Sequence, residues 1–265
     1  MASSVADRPA LTERMVRKER TIILGAIALL AGLAWLWTMT GAGMPMDTGM
    51  PMGQGGMAGM PPSPPPSLLL TIAMWWVMMA AMMLPSAAPA ILLYGRVRRD
   101  RGRQPIIAAS AVFLSGYLLA WLGMSALAAL VQIWATRAGL LNAATMRSSY
   151  APLAGATLIA AGLYQLLPVK NACLANCRSP AAFLSRHWRP GVGGALRLGL
   201  LHGGYCIGCC WLLMALLFVG GVMNFAWIAA LTALVAAEKL LPGSVLISRG
   251  AGLLLIAWGL ARTLT

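Results

Sequence analysis

The stretch GVGGALRLGLLHGGYCIGCCWLLMALLFVG, residues 191–220, contains Arg197 as its single charged side chain. A run of about 20 apolar residues is long enough to cross a bilayer as a helix. The rest of the chain has the same character, with 60% hydrophobic and 10% charged residues. A soluble surface cannot cover so apolar a chain. The sequence therefore predicts an all-α, polytopic bundle of transmembrane helices in a lipid bilayer.

The same length criterion predicts about seven spans, with six as the alternative count. Two prolines, Pro85 and Pro89, lie within the second span and are expected to kink it. The last span is the weakest of the set. The spans cover residues 21–40, 67–94, 104–134, 150–168, 191–220, 222–241 and 245–262.

The basic residues predict the orientation of these spans. With a cytoplasmic N-terminus and seven spans, all of the 20 Lys and Arg residues except Arg137, Arg147 and Arg262 fall on one side. This is the distribution that the positive-inside rule expects. It predicts a multi-pass protein of the cell inner membrane. Loop orientation also explains the net charge of +14, so nucleic acid is not expected as a partner.

The chain divides into four regions by composition. We expect a basic cytoplasmic N-terminus over residues 1–20, a retained anchor helix over 21–40, a flexible extracytoplasmic loop over 41–66, and the helical bundle over 67–265. The loop is rich in Gly, Pro and Met. It is either a simple tether or a collector whose soft thioethers favour Cu(I). Its methionines are Met44, Met46, Met50, Met52, Met57 and Met60.

Within the opening stretch, His202, Cys206, Cys209 and Cys210 are the residues with chemical potential. At about 100° per residue on an α-helix, all four fall in a sector about 100° wide. A single buried cysteine behaves as a small hydrophobe, but four such residues on one face indicate a metal site. One helix cannot surround a metal, so further ligands are expected from other elements.

A dense methionine set, MWWVMMAAMM at residues 74–83, is the first candidate for those ligands. Met78 and Met82 lie on one helical face, and Met79 and Met83 form an adjoining row. Either irregular packing between helices or a role in binding metal explains them. Met214 would continue a sulfur-lined path outward from the cysteine cluster.

Glu238 is the second candidate, because an ionisable group inside a membrane indicates function. A metal ligand, a proton acceptor and a structural ion pair all remain open for it. Its neighbour Lys239 is expected to snorkel outward to the membrane surface.

Cys173 and Cys177 lie in the segment KNACLANCRSP that precedes the opening stretch. The topology places them in a loop at the cytoplasmic face. A structural disulfide is disfavoured in that reducing compartment. Metal ligation, reversible redox chemistry and no special role remain open for this pair.

Several of these motifs together resemble a known family. The blocks WWVMMAAMMLPSAAP, YQLLPVKNACLANCRSP and GGYCIGCCWLLMALLFVGGVMN, with the final Glu238–Lys239 pair, are similar to predicted metal-binding integral membrane proteins, domain of unknown function 2182. The resemblance implies metal binding but no particular metal. It covers neither the N-terminal anchor nor the methionine-rich loop. The motif positions in this chain are Met78, Met79, Met82, Met83, Pro85, Cys173, Cys177, Cys206, Cys209, Cys210, Met214, Met223, Glu238 and Lys239.

These observations predict a membrane protein that handles a soft metal, Cu(I) or else zinc, through Cys and Met ligands. The expected role is acquisition, chaperoning or transfer, with a metal donor or acceptor protein as partner. Ligand exchange rather than catalysis is the expected chemistry. The alternatives are a thiol oxidoreductase that uses Cys206, Cys209 and Cys210, and an accessory transporter subunit.

Overall fold

The computed structural model describes residues 7–40, 67–100, 106–142, 145–241 and 243–264, and these residues are almost entirely helical. Their one β-type pairing is an isolated antiparallel bridge between Leu141 and Ser148. The all-α prediction is confirmed. The helices are α1 (Asp7–Met39), α2 (Leu68–Asp100), α3 (Ile106–Arg137), α4 (Ala151–Leu166), α5 (Pro168–Arg178), α6 (Pro180–His187), α7 (Gly191–Ala215), α8 (Leu217–Gly220), α9 (Phe225–Leu240) and α10 (Ser244–Leu264). The predicted loop over residues 41–66 lies outside the described residues.

Five segments of these helices are long and apolar enough to cross a membrane, and a sixth is obtained if α4 and α5 form one broken span. The helices of that pair meet at a bend of 66°. Helix α9, which corresponds to the predicted sixth span, has only 16 residues. The count of seven spans and the side of the N-terminus therefore stay predictions. The five segments are Arg20–Met39, Leu68–Arg98, Ile107–Arg137, Gly191–Gly220 and Ser244–Leu264.

Helix α2 packs against α1, α3 and α9 and carries the methionine set into the interior. Helix α2 continues through both Pro85 and Pro89, so the prolines do not end it, and the kink expected there stays a prediction. Each proline removes one backbone donor. Packing against neighbouring helices holds such a helix together in spite of that loss.

Helices α3 and α7 are in close contact because glycines line their interface. A Cβ atom at Gly199 would collide with the backbone carbonyl oxygen of Phe113, and one at Gly203 would collide with Ala120. Small residues of this kind let helix backbones approach closely. The contact brings Tyr117 of α3 against Cys206 of α7.

The segment that was expected to be a loop is helix α5, which folds back against α7. A residue before proline avoids the helical region, and Leu167, which precedes Pro168, is extended with φ −72° and ψ 142°. Helix α4 therefore ends there and a new helix begins. Cys173 packs on α7 at Gly208, where an added Cβ atom would lie 3.0 Å from the Cys173 sulfur.

Candidate metal centre

Four thiols from two helices meet in the interior, and we call Cys177, Cys206, Cys209 and Cys210 the thiol cluster. The Cys177 side chain of α5 packs against the buried core that holds the three cysteines of α7, close to Cys206 and Cys209. Cys210 lies one helical turn after Cys206 and next to Cys209 on the same helix. The three cysteines of α7 are buried, Cys177 is half-buried, and all are free thiols. The structure thus joins two groups of cysteines that the sequence places apart.

The four thiols of the cluster are not arranged around a single point in this structure. Cys209 Sγ and Cys210 Sγ both donate to the backbone carbonyl of Cys206, at 3.1 and 3.0 Å. Among the described residues, no group of three or more His, Cys, Asp and Glu side chains is arranged to hold a metal ion. Metal binding at the cluster would therefore require these thiols to turn away from that carbonyl. Each hydrogen bond lost in this way costs about 1 kcal/mol.

Lys239 of α9 points into the centre and contacts sulfur. Its Nζ lies 2.9 Å from Cys206 Sγ, 3.7 Å from Met83 Sδ and 3.4 Å from Ser86 Oγ. The hydroxyl of Tyr117 lies 3.2 Å from the same Cys206 sulfur. The expectation that Lys239 snorkels outward was wrong, because its side chain is buried among α2 and α7. The family resemblance includes Lys239 among its motif positions, but the inward direction of its side chain was missed, and nothing in the sequence singles out Tyr117.

The predicted methionines of α2, Met78, Met79, Met82 and Met83, are all buried. Met83 adjoins the thiol cluster, because it shares the Lys239 ammonium with Cys206. Met214 is also buried in the same core, one helical turn beyond Cys210. Buried thioethers therefore border the thiols on two helices.

His202 is buried on the aromatic side of α7. Its ring centroid lies 5.3 Å from that of Phe183 and 5.9 Å from those of Phe113 and Tyr117. Its Nδ1 atom is buried without a hydrogen-bond partner. The structure thus places His202 among aromatic rings, and its role as a ligand stays a prediction.

Glu238 lies in a buried ion pair. Both of its carboxylate oxygens accept from Lys170 Nζ at 2.7 Å, and it also accepts from Gln165 at 2.8 Å and Ser248 at 3.0 Å. Adjacent residues on a helix point about 100° apart, so Glu238 and Lys239 face different neighbours. The observed contacts are those of the ion-pair alternative, and they tie α5 to α9.

Comparison with known proteins identifies a copper-related family. A family model described as "PpoB2: Copper chaperone" matches residues 72–262, a region that extends from α2 into α10 and includes the thiol cluster. No curated protein and no solved structure matches the chain. The match agrees with the predicted metal-binding role, while the assignment to domain of unknown function 2182 stays a prediction.

Proposed function

Because the chain belongs to this copper chaperone family, we propose that it is a multi-pass protein of the cell inner membrane that binds Cu(I) through cysteine and methionine sulfur. It passes the ion to or from a partner protein. Thiolates and thioethers are soft ligands that favour Cu(I) over hard cations such as Mg²⁺. Zinc, which also accepts thiolates, is the competing metal.

The packing of Cys177 of α5 close to Cys206 and Cys209 of α7 carries this proposal. It supplies soft donors from two helices, which is what a site needs when one helix cannot surround a metal. The buried Met83 adds a thioether from a third helix. A copper ion held there would be shielded from water and from oxidants in it.

Transfer is proposed to proceed by exchange of sulfur ligands. Cys173 and Cys177 of α5 are half-buried, whereas the cysteines of α7 are buried. The thiols of α5 therefore lie closer to the surface and are the ones that a partner protein reaches first. The methionine-rich loop over residues 41–66 is proposed as a second point of exchange, on the extracytoplasmic face.

Copper content after anaerobic loading tests the proposal. Wild-type protein in lipid nanodiscs, loaded with Cu(I) and desalted, should retain stoichiometric copper by elemental analysis. The double variant Cys206→Ser/Cys209→Ser should lose it. Met39→Leu is the control, because Met39 is an exposed methionine at the end of α1, outside the buried core. Wild-type protein without copper, or a double variant that retains it, would contradict the proposal. Zinc measured in the same samples decides between the two metals.

The same contact favours one second candidate function, a membrane thiol oxidoreductase. Cys177 and Cys206 are free thiols that lie close together on two helices, so they could form a reversible disulfide. An oxidoreductase passes through a mixed disulfide with its partner. Trapping such a species with the Cys177→Ser variant, in protein that holds no copper, would favour this function.

A further inference from the structure

Lys239 is a buried cation whose ammonium group lies against a sulfur atom. Only 6% of the residue is exposed, and a buried charge is costly unless it is paired. The carboxylate next to it in sequence, Glu238, is already engaged by Lys170, Gln165 and Ser248. The nearest partner of the Lys239 ammonium is instead Cys206 Sγ, at 2.9 Å.

The ammonium also lies where soft ligands come together. Its Nζ atom contacts Cys206 Sγ on one helix and Met83 Sδ on another. Cysteine and methionine sulfur favour Cu(I), whereas an ammonium is a hard cation that gains less from them. The Cys206 and Met83 sulfurs thus flank a position that the monovalent Lys239 ammonium occupies.

We propose that Lys239 is a resident cation that occupies the copper position, and that Cu(I) binds by displacing its ammonium from Cys206. This inference rests on the proposed function. The displaced side chain keeps Ser86 Oγ, 3.4 Å from Nζ, as an acceptor. No covalent bond of the lysine changes. Cu(I) bonds to the Cys206 sulfur as a thiolate, the thiol proton passes to water, and the Cu–S bond takes the place of the N–H···S hydrogen bond.

Competition of this kind has two consequences for a chaperone. The ammonium weakens Cu(I) binding and returns to the sulfur when copper leaves, so the ion can be handed on. It also disfavours divalent ions, because electrostatic repulsion scales with the product of the charges. Lys239 is therefore a residue that sets affinity and selectivity, and not a ligand.

Cu(I) affinity, measured by competition with the chromophoric chelator bicinchoninate, tests this role. Lys239→Leu removes the cation and should tighten binding by about tenfold or more, from the strength of a hydrogen bond to a charged group. Lys239→Met should tighten it at least as much, and Lys239→Arg, which keeps the charge, should retain weak binding. The affinity for Zn²⁺ should rise by a larger factor in Lys239→Leu than that for Cu(I). Unchanged or weaker Cu(I) binding in Lys239→Leu would overturn the inference.

X-ray absorption of copper-loaded wild-type protein provides a second test that needs no variant to fold. The spectrum should show no amine nitrogen bonded to copper. A nitrogen ligand that lacks the scattering of an imidazole ring would identify Lys239 as a ligand and overturn displacement. If copper is lost in Cys206→Ser/Cys209→Ser but Lys239→Leu does not tighten binding, only this inference fails. If wild-type protein holds no copper, both the inference and the proposed function fail.

Discussion

Replacing Glu238 by Gln should destabilise the protein without removing a copper ligand. In the wild-type protein, two contacts of 2.7 Å join the Lys170 ammonium to the Glu238 carboxylate. The substitution leaves that ammonium buried next to a neutral amide. Both side chains are almost fully buried. Breaking a buried pair by removing one partner costs about 3–5 kcal/mol. The unfolding free energy should fall by that amount, measured as loss of helix against added SDS in mixed micelles.

The double variant Lys170→Met/Glu238→Leu is the control for this prediction. Replacing both partners of a buried pair by apolar groups is often neutral, so most of the lost stability should return. Helix α5 should also loosen in Glu238→Gln, which would speed maleimide labelling of Cys177, and tighten again in the double variant. If Glu238 were instead a metal ligand, Glu238→Gln would lose copper at unchanged stability. That result, or a double variant as unstable as the single one, would refute the reasoning.

Three further predictions concern the copper centre and its packing. Cu(I) affinity should fall as the pH is lowered, because protons compete for the thiolates that bind metal; a competition titration that shows no change with pH would point to thioether ligands alone. Met83→Leu should weaken Cu(I) binding several-fold in the same titration, whereas Met39→Leu, at an exposed methionine of α1, should not, and equal effects would remove Met83 from the site. Gly199→Ala should lower the free energy of unfolding by about 1–3 kcal/mol, because its Cβ atom meets the Phe113 carbonyl. Gly204→Ala, whose Cβ atom meets nothing within 4 Å, should not lower it. An equal fall in melting temperature for both variants would contradict the packing argument.

The helical architecture could be predicted because composition and apolar run length determine it directly. The clustering of Cys206, Cys209 and Cys210 also follows from helical spacing alone, which is a local property of α7. The continuity of α2 through Pro85 and Pro89 could not be predicted in this way. Packing of α2 against α1, α3, α6 and α9 outweighs the local preference, and that packing cannot be read from the segment itself.

The composition of the centre could not be predicted, because it depends on contacts between distant segments. Cys177 comes close to Cys206 only because α4 ends at Leu166 and α5 turns back to pack on Gly208. Lys239 was expected to reach water, as lysines near helix ends often do. Its inward direction depends on sulfur acceptors supplied by α2 and α7, and no pattern within α9 reveals them.

Thiols from α5 and α7 are proposed to form one copper site. The copper content of Cys177→Ser and Cys206→Ser, loaded beside wild-type protein, tests this proposal, because the two residues lie on different helices. Wild-type protein should bind stoichiometric copper, and each single variant should lose it. Copper that is retained in Cys177→Ser but lost in Cys206→Ser would contradict a shared site, and wild-type protein without copper would contradict the function itself.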